Sequence, residues 1–170
     1  RETESSMDLQ ELVSPDHTAL CIVECQNGVV GPESSMPAVA EAVAAAGLLP
    51  RLGGLAVVAR SAGVRVIHST FQTRADMWGG NRNSRLFAAG RKADVQQLVG
   101  TPAVQPAPEL AFDPDADVIV PRSHGLSADS GSGLSAMLGN EGITNRGAVG
   151  VPPDLAIPNT LLHLANAGLP

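Results

Sequence analysis

Aromatic residues are scarce in this 170-residue chain, which has one Trp, three Phe and no Tyr. A core with so few rings must be aliphatic, and Ala, Val, Leu and Ile supply it within an apolar fraction of 44%. That fraction, at this length, indicates one folded domain rather than a disordered chain. The 18 Gly and 13 Pro residues indicate many turns.

Basic residues are also few, with 11 Lys and Arg against 17 Asp and Glu and a net charge of −6. Nucleic-acid modules usually carry a basic face, so we expect no nucleic-acid partner. No apolar run reaches the roughly 18 residues of a membrane helix, and the polar start RETESS is unlike a signal peptide. We therefore expect no membrane association and a cytoplasmic location.

Cysteine is limited to Cys21 and Cys25, four residues apart in one apolar segment. A strand that holds both cannot close a disulfide on itself, so we expect free thiols in a reducing compartment.

Short apolar runs alternate with helix-forming stretches along the chain. The predicted strands are 18–25, 64–70, 117–121 and 144–151. The predicted helices are 37–46, 49–62, 133–140 and 155–167, with shorter helical turns near 84–89 and 93–98. This alternation predicts an α/β fold, a three-layer α/β/α sandwich with a mostly parallel, Rossmann-like sheet.

The domain organisation follows from the same pattern. Residues 1–17 are polar and acidic and form a predicted N-terminal arm, and 18–170 form the domain. The chain stops after a predicted helix, where such a fold would normally add a strand, so a C-terminally incomplete domain is one reading.

Two predicted strands end in opposite charges. Glu24 closes the first apolar run, and Arg122 follows the third. Ligands of open α/β sheets bind at the carboxyl ends of the strands, where these two side chains are expected to face one crevice. A carboxylate at the end of a buried strand is costly unless it is paired, which makes Arg122 its natural partner. The alternative is an ion pair that only anchors two loops.

Three segments resemble the isochorismatase-like cysteine hydrolases in their order and spacing. They are TALCIVECQNGVVGP from residue 18, VPRSHGL from residue 120 and GITNRGAVGVPPDLAIPNTLLHLANAG from residue 142. The family has a three-layer α/β/α fold and a catalytic triad of an acid, a Lys and a Cys. The resemblance places the acid at Glu24, the basic residue at Arg122 and the nucleophile position at Ala156.

All three triad positions depart from the family pattern. Arg does not readily lose a proton, and Ala156 removes covalent thiol chemistry. Cys25 is next to Glu24, but strand alternation points it to the other face. Isochorismatases proper work without the thiol, so the resemblance leaves Glu24 as a general acid or base. It also implies a cis bond at Val151-Pro152 or Pro152-Pro153.

Several further residues are candidates for substrate binding. Gln26, Asn27 and His124 are expected to line the pocket because they follow the two charged strand ends. Arg82 and Arg85 belong to a basic segment after the second strand, which is expected to overhang the site and to attract an anionic substrate. The alternative for that segment is a solvated loop.

The sequence thus predicts an isochorismatase-like hydrolase that acts on a small, anionic substrate without a thiol nucleophile. The alternative is a catalytically inactive pseudoenzyme that keeps the pocket as a binding or assembly module. We expect no cofactor and no metal ion, because the four His lack metal-ligand spacing and nothing matches the Asp/His cluster of the family's metal-binding amidases. A homo-oligomer is the expected assembly.

Overall fold

The computed structural model describes residues 13–166. Its centre is a four-stranded sheet in the order β3-β2-β1-β4, in which every neighbouring pair is parallel. The strands are β1 (Thr18–Val23), β2 (Arg65–Phe71), β3 (Val118–Arg122) and β4 (Asn145–Gly150). The predicted fold class is confirmed, and each predicted strand boundary lies within two residues of the observed one.

Six α-helices accompany the sheet among the described residues. They are α1 (Asn27–Val30), α2 (Pro37–Ala45), α3 (Leu48–Ser61), α4 (Arg85–Gly90), α5 (Leu134–Asn140) and α6 (Ala156–Asn166). Single 3-10 turns form at Pro15–His17, Pro102–Val104 and Pro108–Leu110.

Two sequence expectations about helices are wrong. The segment 28–37 is expected as loop but overlaps α1, whose four residues are too few to show a helical period. The predicted helical turn at 93–98 is absent, because Leu98 instead forms a bridge with Thr73 and the side chain of Gln97 packs against α1. Of the predicted arm, residues 1–12 lie outside the described part of the chain, as does residue 167 of the last predicted helix.

The two faces of β1 are buried against different helices, which creates the three layers. Leu20 and Ile22 pack in one core cluster with residues of α2 and α3, whereas Cys21 and Val23 pack in a second cluster with residues of α5 and α6. Successive side chains of a strand point to opposite faces, so β1, which is apolar from Ala19 to Val23, is buried in both layers.

None of the described helices is by itself long and apolar enough to cross a membrane. The pair α2 and α3 meets that test only when both helices are counted together across a 69° bend.

Candidate functional site

A cavity of about 420 Å³ lies at the carboxyl ends of the strands. Its charged floor is formed by Glu24, directly after β1, and Arg122, the last residue of β3. Phe71, the last residue of β2, and Ala156, the first residue of α6, also line it. The volume lies within the range of about 300–1,000 Å³ that is typical of small-molecule sites.

Glu24 and Arg122 form a buried ion pair, with 8% and 4% of their surfaces exposed. Arg122 Nη2 donates to Glu24 Oε1, and Arg122 Nη1 donates to the carbonyl of Gly125 at 3.0 Å. The guanidinium carbon lies 5.0 Å from the ring centroid of Phe71, within cation–π distance. The two strand ends therefore bring opposite charges into one crevice, as expected from a parallel sheet.

Burial disfavours the charge on Arg122 and lowers its pKa to about 10. Arg122 nevertheless stays protonated at neutral pH. A cation in contact with a carboxyl group stabilises the ionised form of that group, so Arg122 favours Glu24 as a carboxylate.

Ala156 occupies the cavity wall where the family resemblance expects a nucleophile, and it is 1% exposed. The peptide bond Val151-Pro152, just before α6, is cis, which confirms the prediction of a cis bond in this turn. The helix dipole places partial positive charge at the start of α6, which favours negative charge in the cavity.

Neither cysteine reaches the cavity. Cys25 packs in the core cluster shared with α3, and Cys21 packs in the opposite one. Residues four apart in a regular strand share a face, so the alternation ends with β1, before the left-handed backbone of Glu24. Burial raises the pKa of the Cys25 thiol to about 12 and that of the Cys21 thiol to about 11. Both thiols are therefore protonated and shielded under physiological conditions.

Gln26 and Asn27 do not line the cavity, which corrects the expectation for both residues. Gln26 is fully buried and pairs with both backbone groups of Phe71, accepting from its N–H and donating to its carbonyl at 2.6 Å each. Asn27 Nδ2 donates to the carbonyl of Pro102 at 3.0 Å. These two amides fix the end of β2 and the segment near Pro102, so their role here is structural.

His124, Arg82 and Arg85 also lie outside the cavity wall, and all three are exposed. The loop after β2 does overhang the cavity, as expected, but it presents other side chains to it. His124 packs beside Gly131, on the outer side of the loop that follows β3. Spacing along the chain predicted which loops meet at the site but not which side of each loop faces inward.

The overhanging loop contributes wall residues that the sequence analysis missed. They are Met77, Trp78, Asn81, Leu86, Phe87 and Arg91. The composition held one usable signal, since Trp78, Phe87 and Phe71 are three of only four aromatic residues in the chain. Most of the few aromatic side chains therefore line the cavity rather than fill the core, which indicates that this surface has a role other than packing.

Asn81 links this loop to the charged floor. Its Oδ1 accepts a hydrogen bond from the N–H of Gly125 at 2.6 Å, and the carbonyl of Gly125 accepts one from Arg122. The loop is thus connected to the guanidinium through the backbone of one residue, Gly125.

Backbone strain is concentrated at the cavity. Three non-Gly residues in the described part of the chain have positive φ, and two of them, Glu24 at 54° and Met77 at 57°, line the cavity. This conformation is uncommon for residues with a Cβ, and such residues cluster at functional sites.

The residues present do not provide a metal site. Within residues 13–166, no group of three or more His, Cys, Asp or Glu side chains lies close enough together to hold an ion. No catalytic step is therefore assigned to a metal.

A family comparison and solved structures agree with the fold. The model of the isochorismatase domain matches residues 18–170. No curated protein is similar enough to the chain to count as a match.

Solved structures with the same fold come from distant relatives. An isochorismatase family protein of Burkholderia thailandensis has a TM-score of 0.66 at 22% identity, with 89% of this chain and 73% of that chain covered. A cysteine hydrolase of Pseudomonas syringae pv. phaseolicola has a TM-score of 0.69 at 20% identity, with 93% and 70% covered. A pyrazinamidase of Pyrococcus horikoshii, solved with zinc, has a TM-score of 0.69 at 17% identity, with 90% and 80% covered.

Proposed function

The chain belongs to the isochorismatase family, and on that premise we propose that it is a hydrolase that acts on a small, anionic substrate without a thiol nucleophile. The observation that carries the proposal is the Glu24–Arg122 pair on the floor of an otherwise largely apolar cavity. A buried carboxylate is costly to keep, so its position facing a ligand-sized cavity favours a chemical role.

In the proposed reaction Glu24 acts as a general base. Its Oε1 is engaged by Arg122, while the side chain still lines the cavity and leaves lone pairs for a water molecule. Glu24 accepts a proton from this water while the water oxygen bonds to the electrophilic carbon of the substrate. The bond between that carbon and the leaving group then breaks, and the leaving group takes the proton back from Glu24. Arg122 holds the carboxylate ionised and oriented, and the start of α6 faces the negative charge that develops on the substrate.

A binding module without turnover is the second candidate. Two features favour it: Ala156 offers no nucleophile, and two nitrogens of Arg122 already donate to Glu24 and Gly125. A fully engaged pair suits a fixed floor as well as it suits catalysis. The two candidates differ in turnover and agree in binding.

The test is a screen of amides, esters, carbamates and vinyl ethers with the wild-type chain and with Glu24→Gln. Gln keeps the size of the side chain and an oxygen acceptor for Arg122 but cannot take up the proton. We expect a loss of turnover of about 10²–10⁴-fold, the usual contribution of a general base. Glu33→Gln, which neutralises an exposed carboxylate, serves as the matched control.

Treatment with iodoacetamide should leave this turnover unchanged, because both thiols are buried and protonated. Inactivation of the folded chain by alkylation would instead assign the nucleophile to Cys25. Ligand binding without any turnover would contradict the hydrolase and favour the binding module.

A further inference from the structure

The cavity wall has a chemical character that the charged floor does not explain. Three of the four aromatic side chains in the sequence line it, namely Phe71, Trp78 and Phe87. Met36, Met77, Val29, Leu86, Leu126 and Leu155 add further apolar surface. A ligand that buries polar groups against such a wall loses hydrogen bonds to water without replacement, so the wall favours an apolar body.

Four charged side chains line the same cavity, and three of them already have a partner of opposite charge. Glu24 and Arg122 pair with each other on the floor. Arg74 is held by Asp76 through two hydrogen bonds, from Nε at 2.9 Å and from Nη2 at 2.8 Å. The fourth is Arg91, which forms no ion pair with any carboxylate of residues 13–166.

Arg91 is also held in place. Its Nη2 donates to the carbonyl of Met77 at 2.9 Å, and the same nitrogen lies close to Gly80, so the guanidinium is fixed against the overhanging loop. This contact uses one of its five N–H donors and leaves others for a ligand. A cation that is already positioned loses less side-chain entropy on binding than a mobile one.

Arg122 is a weaker candidate for the same task. Its two terminal nitrogens donate to Glu24 and Gly125, and its Nε is buried without a partner and sealed from solvent. A ligand anion would have to displace Glu24 to reach it and would meet the negative charge of that residue. The sequence analysis assigned attraction of the anion to Arg82 and Arg85 of the overhanging loop, and the geometry favours the same loop but a different residue, Arg91.

We propose that the cavity selects an apolar monocarboxylate, whose body packs on the aromatic wall and whose carboxylate binds Arg91. As a statement about substrate class, this rests on the proposed function. One uncommitted cation serves one carboxylate, and a second negative charge near the floor would be repelled by Glu24. The reacting end of the molecule is therefore uncharged and faces Glu24.

The experiment measures binding without turnover and uses three probes: 4-phenylbutanoate, its neutral amide 4-phenylbutanamide, and butanoate. Trp78 is the only tryptophan in the chain and lines the cavity, so its fluorescence reports occupation, and calorimetry gives the affinity. We expect 4-phenylbutanoate to bind about tenfold more tightly than either other probe. The amide lacks the charge-assisted hydrogen bond, and butanoate lacks the apolar body.

Variants then locate the charge. Arg91→Gln should weaken binding of 4-phenylbutanoate about tenfold and leave the amide unchanged, and Arg91→Lys should restore part of the difference. Arg82→Gln removes the same charge from the same loop outside the cavity, so it should change neither affinity. Loosening of the loop would weaken both ligands equally, which separates a structural effect from charge recognition.

Two results would overturn the inference: equal affinity for the acid and the amide, or equal effects of Arg91→Gln and Arg82→Gln on the acid. Binding in the Glu24→Gln background separates this inference from the proposed function. If no substrate turns over but the acid is still preferred through Arg91, the hydrolase fails and the inference holds. If turnover depends on Glu24 while its KM does not respond to Arg91→Gln, the inference fails and the hydrolase holds.

Discussion

Arg122 is the residue on which the charged floor depends. It is buried, it contacts Glu24, Gly125 and the ring of Phe71, and it carries a charge that burial disfavours. Each member of this pair is tolerated only because the other is present, since the loss of one leaves an uncompensated buried charge.

A double-mutant cycle tests this dependence. Arg122→Met keeps much of the side-chain volume but leaves Glu24 without its partner, so we expect the free energy of unfolding to fall by about 3–5 kcal/mol. Combining Arg122→Met with Glu24→Gln removes both charges and should recover a large part of that loss. Urea unfolding of the two single variants and the double variant provides the measurement. A double variant whose loss of stability equals the sum of the two single losses would show that the pair is not coupled.

At the scale of single residues, the sequence predicted the floor of the site better than its walls. Glu24 and Arg122 could be predicted because a charged side chain at the end of an apolar strand needs a nearby partner of opposite charge. Gln26 looked equally well placed, but its amide satisfies the backbone of Phe71, a partner 45 residues away. Arg91 was missed because no local pattern shows which side of an irregular loop faces inward.

Helix α3 shows how closely an element must approach its neighbours. Gly53 faces the segment at Pro108–Leu110, and a Cβ there would overlap the carbonyl oxygen of Glu109. Gly54, the next residue of the same helix, has nothing within 4 Å of a Cβ placed on it. The two glycines have the same helix propensity, but Gly53 packs closely against a neighbouring segment and Gly54 does not.

Alanine substitution separates these two effects. Gly53→Ala forces the helix away from its neighbour and should lower the free energy of unfolding by about 1–3 kcal/mol. Gly54→Ala only improves helix propensity and should raise it by about 1 kcal/mol. Thermal or urea unfolding checks both signs, and a stabilising Gly53→Ala would mean that α3 does not pack against Glu109 as described.

At the scale of elements, the boundaries were predictable because Gly and Pro mark them. Pro37 begins α2, and Gly63, with φ of 83°, follows the end of α3. The long stretch between β2 and β3 was not predictable in the same way. Its order comes from distant partners, such as Gln97, which donates to the carbonyl of Gly28 at 2.5 Å.

A buried polar cluster ties the molecule together on one side of the sheet. Asp117, just before β3, accepts hydrogen bonds from Arg60 of α3 at 2.8 and 3.0 Å, and lies 3.1 Å from His68 Nε2 of β2. His68 is 2% exposed, and its Nδ1 has no hydrogen-bond partner among residues 13–166. Burial lowers the pKa of His68 from its ordinary value, although Asp117 opposes the shift.

This shift predicts the direction in which stability depends on pH. The unfolded chain binds a proton at His68 near pH 6.5, whereas the folded chain does so only at lower pH. The contribution of neutral His68 to the free energy of unfolding is therefore fully present above about pH 6.5. It falls as the pH drops below that value, by at most about 1.4 kcal/mol per pH unit.

The measurement is urea unfolding at about pH 7.5 and about pH 5.5. The wild-type chain should lose more stability than His68→Gln over this interval, since the two proteins differ only at this position. Parallel losses in the two proteins would remove His68 as the cause.

At the scale of the whole molecule, the class of fold followed from alternation alone, and the position of the site followed from the fold. A parallel sheet brings its carboxyl ends to one edge, so Glu24 and Arg122, 98 residues apart, were expected to meet. The order β3-β2-β1-β4 could not be derived from the four strands themselves, because nothing in their apolar sequences specifies which strands are neighbours.

The left-handed backbone conformation of Glu24 lowers stability at the residue that the proposed reaction requires. A glycine or asparagine adopts a φ of 54° with less strain than a glutamate, so selection for stability alone would replace this residue. Glycine, however, would strand Arg122 without its counter-charge, and the gain in backbone freedom would be smaller than that loss. A variant stabilised at this site is therefore reached only by changing Glu24 and Arg122 together. A variant that relieves the backbone strain at Glu24 alone would be less stable than the wild-type chain.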